Sequence, residues 1–196
     1  NPYWNVPESI ATEEILPVAR QDPTFLRRNN YEVVRNGRTV GPGALSARAI
    51  ASGEVRIRQK PGAGNALGHV KFLFPNQYDI YLHDTPADHL FTQKNRAFSH
   101  GCIRVERPDD LARTLLAALS DRDPASYEEL RGNEGEQWIP FDHKIPVYIL
   151  YFTAWVDEDG TLRFHPDIYD RDRSLEGERQ EKLGPVEPRP VTGATS

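Results

Sequence analysis

The clearest helical pattern lies in the segment "RPDDLARTLLAALSD", residues 107–121. Pro108 near its start, and the two acidic residues that follow it, are typical of the first turn of a helix. Apolar residues then recur every three or four positions, as they do on the buried face of an amphipathic helix. The leucines on that face are Leu111, Leu115, Leu116 and Leu119. We therefore predict a helix here.

The first 34 residues show a weaker helical pattern. They predict an opening loop followed by two short helices, with Pro7 near the start of the first. Asp22 followed by Pro23 is typical of the N-cap and first turn of the second helix. The segment 35–52 that follows is rich in glycine and weakly patterned, and we expect it to be a surface excursion without a core of its own.

Alternating or continuous runs of β-branched and aromatic residues predict strands in the rest of the chain. Three such runs are "VRIRQ", "ALGHVKFLF" and "YDIYLH", with a turn at "PGAGN" between the first two. Further on, "IPVYILYFTAWV" and "TLRFH" flank "DEDG", which predicts a hairpin of one long and one shorter strand. The predicted fold class is mainly β with flanking helices (α+β), in one domain over residues 1–170, with a charged tail over 171–196.

Composition excludes some function classes. The chain has 196 residues, long enough for one domain with a real core. Its formal charge of −5 provides no broad basic field for a nucleic-acid backbone or an anionic membrane. No run of about 18 apolar residues predicts a transmembrane segment. The absence of any Met leads us to expect a processed or truncated product.

The candidate catalytic residues lie in the segment around Cys102, the one cysteine of the chain. Without a second cysteine it can form no internal disulfide, so its thiol is available for packing, metal binding or chemistry. A thiol becomes a nucleophile when a neighbouring imidazole or backbone dipoles hold it as thiolate. Candidate bases within the same segment are His83, His89 and His100. Gly101 would allow a turn that faces backbone N–H groups toward a developing oxyanion.

Spacing alone leaves alternatives open. His100 shares a face with Cys102 if the segment is extended, or braces the turn if Gly101 bends it. His83 ends a predicted strand, and the intervening connection is long enough to return it beside Cys102. An isolated cysteine is by default an inert core residue, and a zinc site built from these histidines and the thiol has ligand spacings unlike the common structural patterns. The other histidines, His69, His143 and His165, are better explained as structural.

At these residues the chain resembles a known family. "HDTP" followed at a distance by "SHGCIRVE" resembles the signature of L,D-transpeptidase catalytic (YkuD-type) domains of bacterial cell-wall assembly. "NPYWNVP", "NALGHVKFLFP" and "YDIYLHDTP" further resemble the large Gram-negative branch of that family. The likeness extends from Asn1 to about Asp170. It implies a β-sandwich or sheet core with a lid-like insertion at about residues 24–57, and it suggests that further N-terminal strands are missing.

The resemblance also implies roles for individual residues. Cys102 matches the nucleophile, His83 the proton acceptor and donor, and the backbone carbonyl of Asp84 the group that orients that histidine. The N–H groups of Gly101 and Cys102 match the oxyanion hole. Ser99 and His100 match motif residues that shape the site. Arg104 matches a motif position and is assigned to substrate positioning through a carboxylate of the substrate. Tyr81 either lines the acyl-donor pocket or is a half-buried strand tyrosine.

The function implied is a peptidoglycan L,D-transpeptidase. Cysteine acyl transfer from tetrapeptide stems would release D-Ala and form 3-to-3 cross-links, with no metal or organic cofactor and with carbapenem β-lactams as inhibitors. The implied localisation is the periplasm or cell envelope. The same acyl-enzyme could instead serve an L,D-carboxypeptidase or a lipoprotein-anchoring transferase, because pocket shape and water exclusion choose the acceptor. A catalytically silent peptidoglycan-binding module is the alternative of another class.

Overall fold

A computed structural model describes residues 1–98, 101–133 and 135–173. The chain divides into a larger unit, residues 1–146, and a smaller one, residues 147–196. Within the described residues, no helix is both long and apolar enough to cross a membrane.

Helices follow a short opening segment in the larger unit, as predicted, although that segment contains a strand of two residues, Trp4–Asn5. A continuous helical run comprises α1 (Glu8–Ile10), a π-helical stretch (Ala11–Ile15) and α2 (Leu16–Gln21), followed by α3 (Phe25–Arg28). Asp22 separates the two helical segments, because its Oδ1 accepts hydrogen bonds from the backbone N–H and the hydroxyl of the residue two positions on. The two predicted short helices are therefore confirmed, but the prediction of Asp22 as the N-cap of the second helix was wrong, because Asp22 is the C-cap of α2 and Thr24 is the N-cap of α3.

The first sheet has four antiparallel strands in the order β1-β4-β2-β3. Its strands are β1 (Trp4–Asn5), β2 (Tyr31–Arg35), β3 (Arg38–Val40) and β4 (Arg56–Gln59). The helical run packs on it through a core of buried aliphatic side chains. The most deeply buried members are Ala11, Val33, Val55 and Ile57.

Residues 35–52 form no second core, as predicted, but the interpretation of the whole segment as a surface excursion was wrong. The segment contains β3, a 3₁₀ turn (Pro42–Ala44) and helix α4 (Ala47–Ala51). Ser46 caps α4 by accepting a hydrogen bond from the backbone of Ala49, and Ala49 and Ile50 are buried in the first core. Two adjacent apolar residues are too few to form a periodic pattern that predicts a helix. That residues 24–57 act as a lid stays a prediction.

The second sheet carries the cysteine segment. Its strands are β5 (Lys71–Phe72), β6 (Leu82–His83) and β7 (Ile103–Arg104), in that order. β5 and β6 pair antiparallel, whereas β6 and β7 pair in parallel. These strands are shorter than the apolar runs predicted. One cause is Asn76, which lies between the second and third runs: its side-chain amide bonds the backbone of Phe74, Tyr78 and Ile80 and so forms a turn that takes in the adjoining ends of both.

Two helices follow the second sheet. Helix α5 (Pro108–Leu119) confirms the helix predicted from the leucine pattern, with acidic residues in its first turn. Helix α6 (Ser126–Gly132) packs nearby through Tyr127. The second core consists of Ala112, Leu116 and Tyr127, with partly buried apolar side chains around it.

The smaller unit contains the predicted hairpin. β8 (Ala154–Val156) and β9 (Leu162–Phe164) pair antiparallel across the "DEDG" turn, where Gly160 has a φ of +83°. The predicted long strand over residues 145–156 is regular only at β8. Of the predicted charged tail, residues 174–196 lie outside the described residues.

The α+β class is confirmed. Sheets and helices are both present, and the helices hold more of the described residues than the strands do. The mainly-β part of the prediction has only loose support, because every strand among the described residues is two to five residues long.

Candidate active site

The parallel pairing of β6 with β7 assembles the candidate site. Leu82 pairs with Ile103 and His83 with Arg104. The N–H of Ile103 also donates to the carbonyl of Tyr81 at 3.1 Å. The same register therefore extends one residue back on both strands and places Tyr81 beside Cys102. Alternate residues of a strand share a face. The face opposite Leu82 and Ile103 therefore carries four predicted site residues: Tyr81, His83, Cys102 and Arg104.

His83 is buried at 5% exposure and is held in one orientation. Its Nδ1 lies 2.5 Å from the backbone carbonyl of Asp84. A carbonyl oxygen only accepts hydrogen bonds, so Nδ1 carries the proton and Nε2 of the neutral imidazole is left as a proton acceptor. The ring of Tyr81 meets the imidazole edge to face, with centroids 5.9 Å apart.

The surroundings of His83 favour its neutral form. Burial lowers the pKa of His83 below its ordinary 6.5, and the positive charge of Arg104 lowers it further. The hydrogen bond to the Asp84 carbonyl and the Asp84 carboxylate oppose this pKa shift without reversing it. At neutral pH the imidazole can therefore take up a proton, as a general base must.

Cys102 is half-buried and directly precedes β7. Its Sγ lies 4.0 Å from the backbone carbonyl of Asp79. Gly101, directly before it, has a φ of +134°, a backbone conformation that residues other than glycine rarely adopt. The chain therefore enters the cysteine position through a bend that requires glycine.

Tyr81 lies between the thiol and the first sheet. It is half-buried, and the side chains of Cys102 and Trp4 are close enough to its hydroxyl to influence its pKa. Burial raises the pKa of Tyr81 well above its ordinary value of 10.0, and Cys102 adds to that pKa shift. Trp4 lies on β1 and contacts the ring of Tyr31 at 6.3 Å between centroids. Sequence reasoning missed Trp4, because it is distant from Cys102 along the chain.

Arg104 stands beside His83 on the shared face. Its charge is close enough to lower the pKa of His83. Its Nε is buried and, within the part of the chain that the structure describes, has no hydrogen-bond partner. A buried guanidinium N–H without a protein acceptor is available to an anionic group of a ligand.

The side chain of Asp84 supports the loop beside β5. Its Oδ2 accepts from the backbone N–H of His69 at 2.7 Å, and its Oδ1 from that of Thr85 at 2.6 Å. Gly68 lies against this carboxylate with a φ of +57°, and a Cβ there would overlap Oδ2. The sequence did not single out Gly68.

The remaining predicted residues fall in other places. Ser99 and His100 lie outside the described residues, so their roles stay predictions. His89 is exposed on a 3₁₀ turn, Asp88–Thr92. Among the described residues, no three His, Cys, Asp or Glu side chains are grouped so that they could hold a metal ion.

Comparison with known proteins gives two matches. Residues 1–149 match the YkuD family, described as the L,D-transpeptidase catalytic domain. A Haemophilus influenzae protein named "Putative L,D-transpeptidase" is 38% identical over 182 residues, which cover 89% of this chain. The matched region makes up 36% of that relative, so the chain corresponds to a little over a third of its length.

Proposed function

Because the chain belongs to the YkuD family of L,D-transpeptidase catalytic domains, we propose that it is a cysteine acyltransferase acting on peptidoglycan stem peptides. The observation that carries the proposal is the shared sheet face. Parallel pairing of β6 and β7 brings a half-buried thiol and an oriented, neutral imidazole to neighbouring positions, with a guanidinium beside them.

The first step forms an acyl-enzyme. His83 Nε2 takes the proton of the Cys102 thiol, and the thiolate attacks the carbonyl of the third residue of a tetrapeptide stem. The backbone N–H groups of Gly101 and Cys102 stabilise the tetrahedral oxyanion. The amide bond to the terminal D-Ala then breaks, and the imidazolium returns the proton to the departing amine. Free D-Ala leaves and the tripeptide remains bound as a thioester.

The second step transfers the acyl group. The side-chain amine of the third residue of another stem attacks the thioester, and His83 accepts the proton that this amine loses. The C–S bond breaks and the thiolate recovers a proton from the imidazolium. The product is a 3-to-3 cross-link, and the enzyme returns to its starting state without a metal or an organic cofactor.

Arg104 is proposed to position the donor stem. Stem peptides carry carboxylates near the scissile bond, and a guanidinium binds carboxylates through directed, charge-assisted hydrogen bonds. The buried Nε without a partner among the described residues supports this role. Ser99 and His100 are proposed, on the resemblance alone, to shape the same site.

Product analysis tests the proposal. The purified chain is incubated with tetrapeptide muropeptides, and the products are separated and weighed. We expect cross-linked dimers and free D-Ala, and neither with Cys102→Ala. Tripeptide monomers alone would show water as the acceptor and make the protein an L,D-carboxypeptidase, and an unchanged substrate with folded protein would indicate a silent binding module.

The same thiolate explains the expected sensitivity to carbapenems. Attack of Cys102 on the β-lactam carbonyl opens the ring and leaves the whole inhibitor attached as a thioester. We expect the wild type to gain one meropenem mass and Cys102→Ala to gain none.

A substrate in peptidoglycan also leads us to propose that the protein works in the periplasm or cell envelope.

A further inference from the structure

We propose that Trp138 is a stacking platform for a sugar ring of the glycan strand that carries the stem peptides. The proposal rests on the function proposed above and extends it, because it makes the sugar as well as the peptide a part of the substrate that this chain binds. The observation that carries it is an exposed tryptophan that two charged side chains fix beside the second sheet.

Lys71 connects Trp138 to the candidate active site. Lys71 is the partner of His83 in the antiparallel pairing of β5 with β6. Directly opposed residues of such a pair point to the same face of the sheet, so Lys71 shares the face of His83 and Cys102. Its Nζ lies over the ring of Trp138, 5.5 Å from the centroid. One strand spacing and one lysine side chain therefore connect the imidazole to the indole.

The indole of Trp138 is held in one orientation. Its Nε1–H donates to Glu136 Oε2 at 3.2 Å. Glu136 Oε1 in turn accepts from Lys71 Nζ at 3.0 Å and from the backbone N–H of Tyr3 at 3.1 Å. The side chains of Lys71 and Glu136 are only 15% and 22% exposed, so the pair that holds the ring is itself fixed. Such support is what a binding residue needs, whereas an apolar side chain that only covers a core does not.

One face of the Trp138 ring is open to solvent. The residue is 68% exposed, although a tryptophan usually buries most of its large apolar surface. Lys71 lies over one face, which leaves the opposite face for a ligand. A flat, fixed apolar surface suits the C–H face of a pyranose ring. Beside the ring edge, Glu136 Oε2 can also accept from a sugar hydroxyl, because a carboxylate oxygen accepts more than one hydrogen bond.

The spacing of the strands matches the covalent structure of the substrate. In peptidoglycan the first residue of each stem is attached to a sugar, and Cys102 is proposed to attack the carbonyl of the third residue. Three extended residues span about 10 Å. In the second sheet β5, which carries Lys71, lies two strand spacings from β7, and two spacings are also about 10 Å. A stem laid across the sheet from Cys102 toward β5 therefore brings its sugar to the side of Trp138.

Two substrates that differ only in the sugar test the proposal. One is the tetrapeptide stem attached to its disaccharide, the other is the free tetrapeptide, and D-Ala release is measured with both. We expect Trp138→Ala to raise the KM for the disaccharide substrate about tenfold, with kcat and the KM for the free tetrapeptide unchanged. Trp138→Phe should keep most of the sugar effect because it keeps a ring. Trp138→Leu should lose it, although leucine would serve equally well as apolar cover.

The matched control is Trp155→Ala. Trp155 belongs to a different sheet, formed by β8 and β9, and its Nε1–H is likewise held by a carboxylate, Asp157 Oδ1, at 2.8 Å. This variant should leave both KM values at those of the wild type. Unfolding midpoints show whether each variant is folded. Should Trp138→Ala fail to fold, the comparison of Trp138→Phe with Trp138→Leu decides the matter.

A binding measurement requires no turnover. The chain has three tryptophans, so its nitrogen-15 NMR spectrum contains three indole N–H signals, and Trp138→Phe identifies the signal of Trp138 by its loss. The probe is the disaccharide of N-acetylglucosamine and N-acetylmuramic acid without any peptide. We expect it to shift the Trp138 signal and to leave the Trp155 signal in place.

The results separate this proposal from the proposed function. If folded Trp138→Ala changes the KM for both substrates alike or for neither, or if Trp155→Ala raises the KM for the disaccharide substrate as much, the glycan platform is overturned. It is also overturned if the wild type releases D-Ala but the disaccharide leaves the Trp138 signal unmoved. If instead that signal shifts and the wild type releases no D-Ala from either substrate, the sugar site stands and the proposed function fails.

Discussion

Gly68 provides the sharpest test of how the site is built, because its space is filled by Asp84. A Cβ at Gly68 would overlap Asp84 Oδ2 and lie 2.7 Å from Asp84 Cβ, and the φ of Gly68 is +57°. Gly68→Ala must therefore move the carboxylate that bonds the backbone of His69 and Thr85. The backbone carbonyl of the same aspartate orients His83, so stability and base orientation should suffer together.

The cost of Gly68→Ala can be worked from these contacts. The positive φ contributes about 1 kcal/mol. Loss or distortion of two hydrogen bonds to a carboxylate adds roughly 3 kcal/mol. We expect the free energy of unfolding to fall by about 4 kcal/mol in urea titrations. The matched control is Gly64→Ala in the same loop, where nothing lies within 4 Å and φ is ordinary; it should change stability by less than about 1 kcal/mol.

A double-mutant cycle isolates the clash. In an Asp84→Gly background the carboxylate and its Cβ are gone, so Gly68→Ala should cost only the backbone part, about 1 kcal/mol. Equal costs of Gly68→Ala in the two backgrounds would refute the reasoning. So would a cost of Gly68→Ala no larger than that of Gly64→Ala.

Three further predictions address titration and packing. Burial lowers the pKa of His83 below 6.5 in the folded state, so the unfolded state binds a proton first as pH falls below about 6.5. The wild type should therefore lose stability there relative to His83→Asn, until the folded imidazole is protonated too. A parallel pH dependence of the two proteins' stabilities would contradict this. Leu116→Ala empties a 2%-exposed core position and should cost about 3 kcal/mol by urea unfolding; a cost below about 1 kcal/mol would contradict the second core. Arg58→Leu strips the buried Glu32 of its closest ion-pair partner and should cost about 2 kcal/mol, whereas Arg56→Leu, exposed on the same strand, should be nearly neutral.

Helix α5 was predictable because its signal is local. The first-turn acids, Pro108 and the leucine spacing all lie within the helix itself, and together they predict its start and much of its buried face: Leu116 and Leu119 are buried, Leu111 and Leu115 are half-buried, and Ala112 is buried as well. The segment that forms α4 offers only Ala49 and Ile50 as buried residues. So short a helix gains its stability from packing on the first sheet, and a pattern within the segment cannot reveal that.

In the candidate site too, some features have a local sequence signal and others do not. Cys102 and His83 could be selected because their residue types and the surrounding motif point to acyl transfer. Their placement depends on parallel pairing across a long connection, and no local pattern specifies such a pairing. Gly68 matters through its contact with Asp84, which is distant along the chain, and a glycine in isolation carries no sign of that contact.

Intact-protein mass spectrometry of the donor half-reaction tests the central claim most directly. The chain is mixed with a tetrapeptide stem in the absence of an acceptor, quenched in acid and weighed, and a peptic digest locates any adduct. The account predicts one tripeptide acyl group on Cys102, free D-Ala in equal amount, and no adduct with Cys102→Ala. A folded wild type that stays unmodified, or an adduct on any other residue, would contradict it.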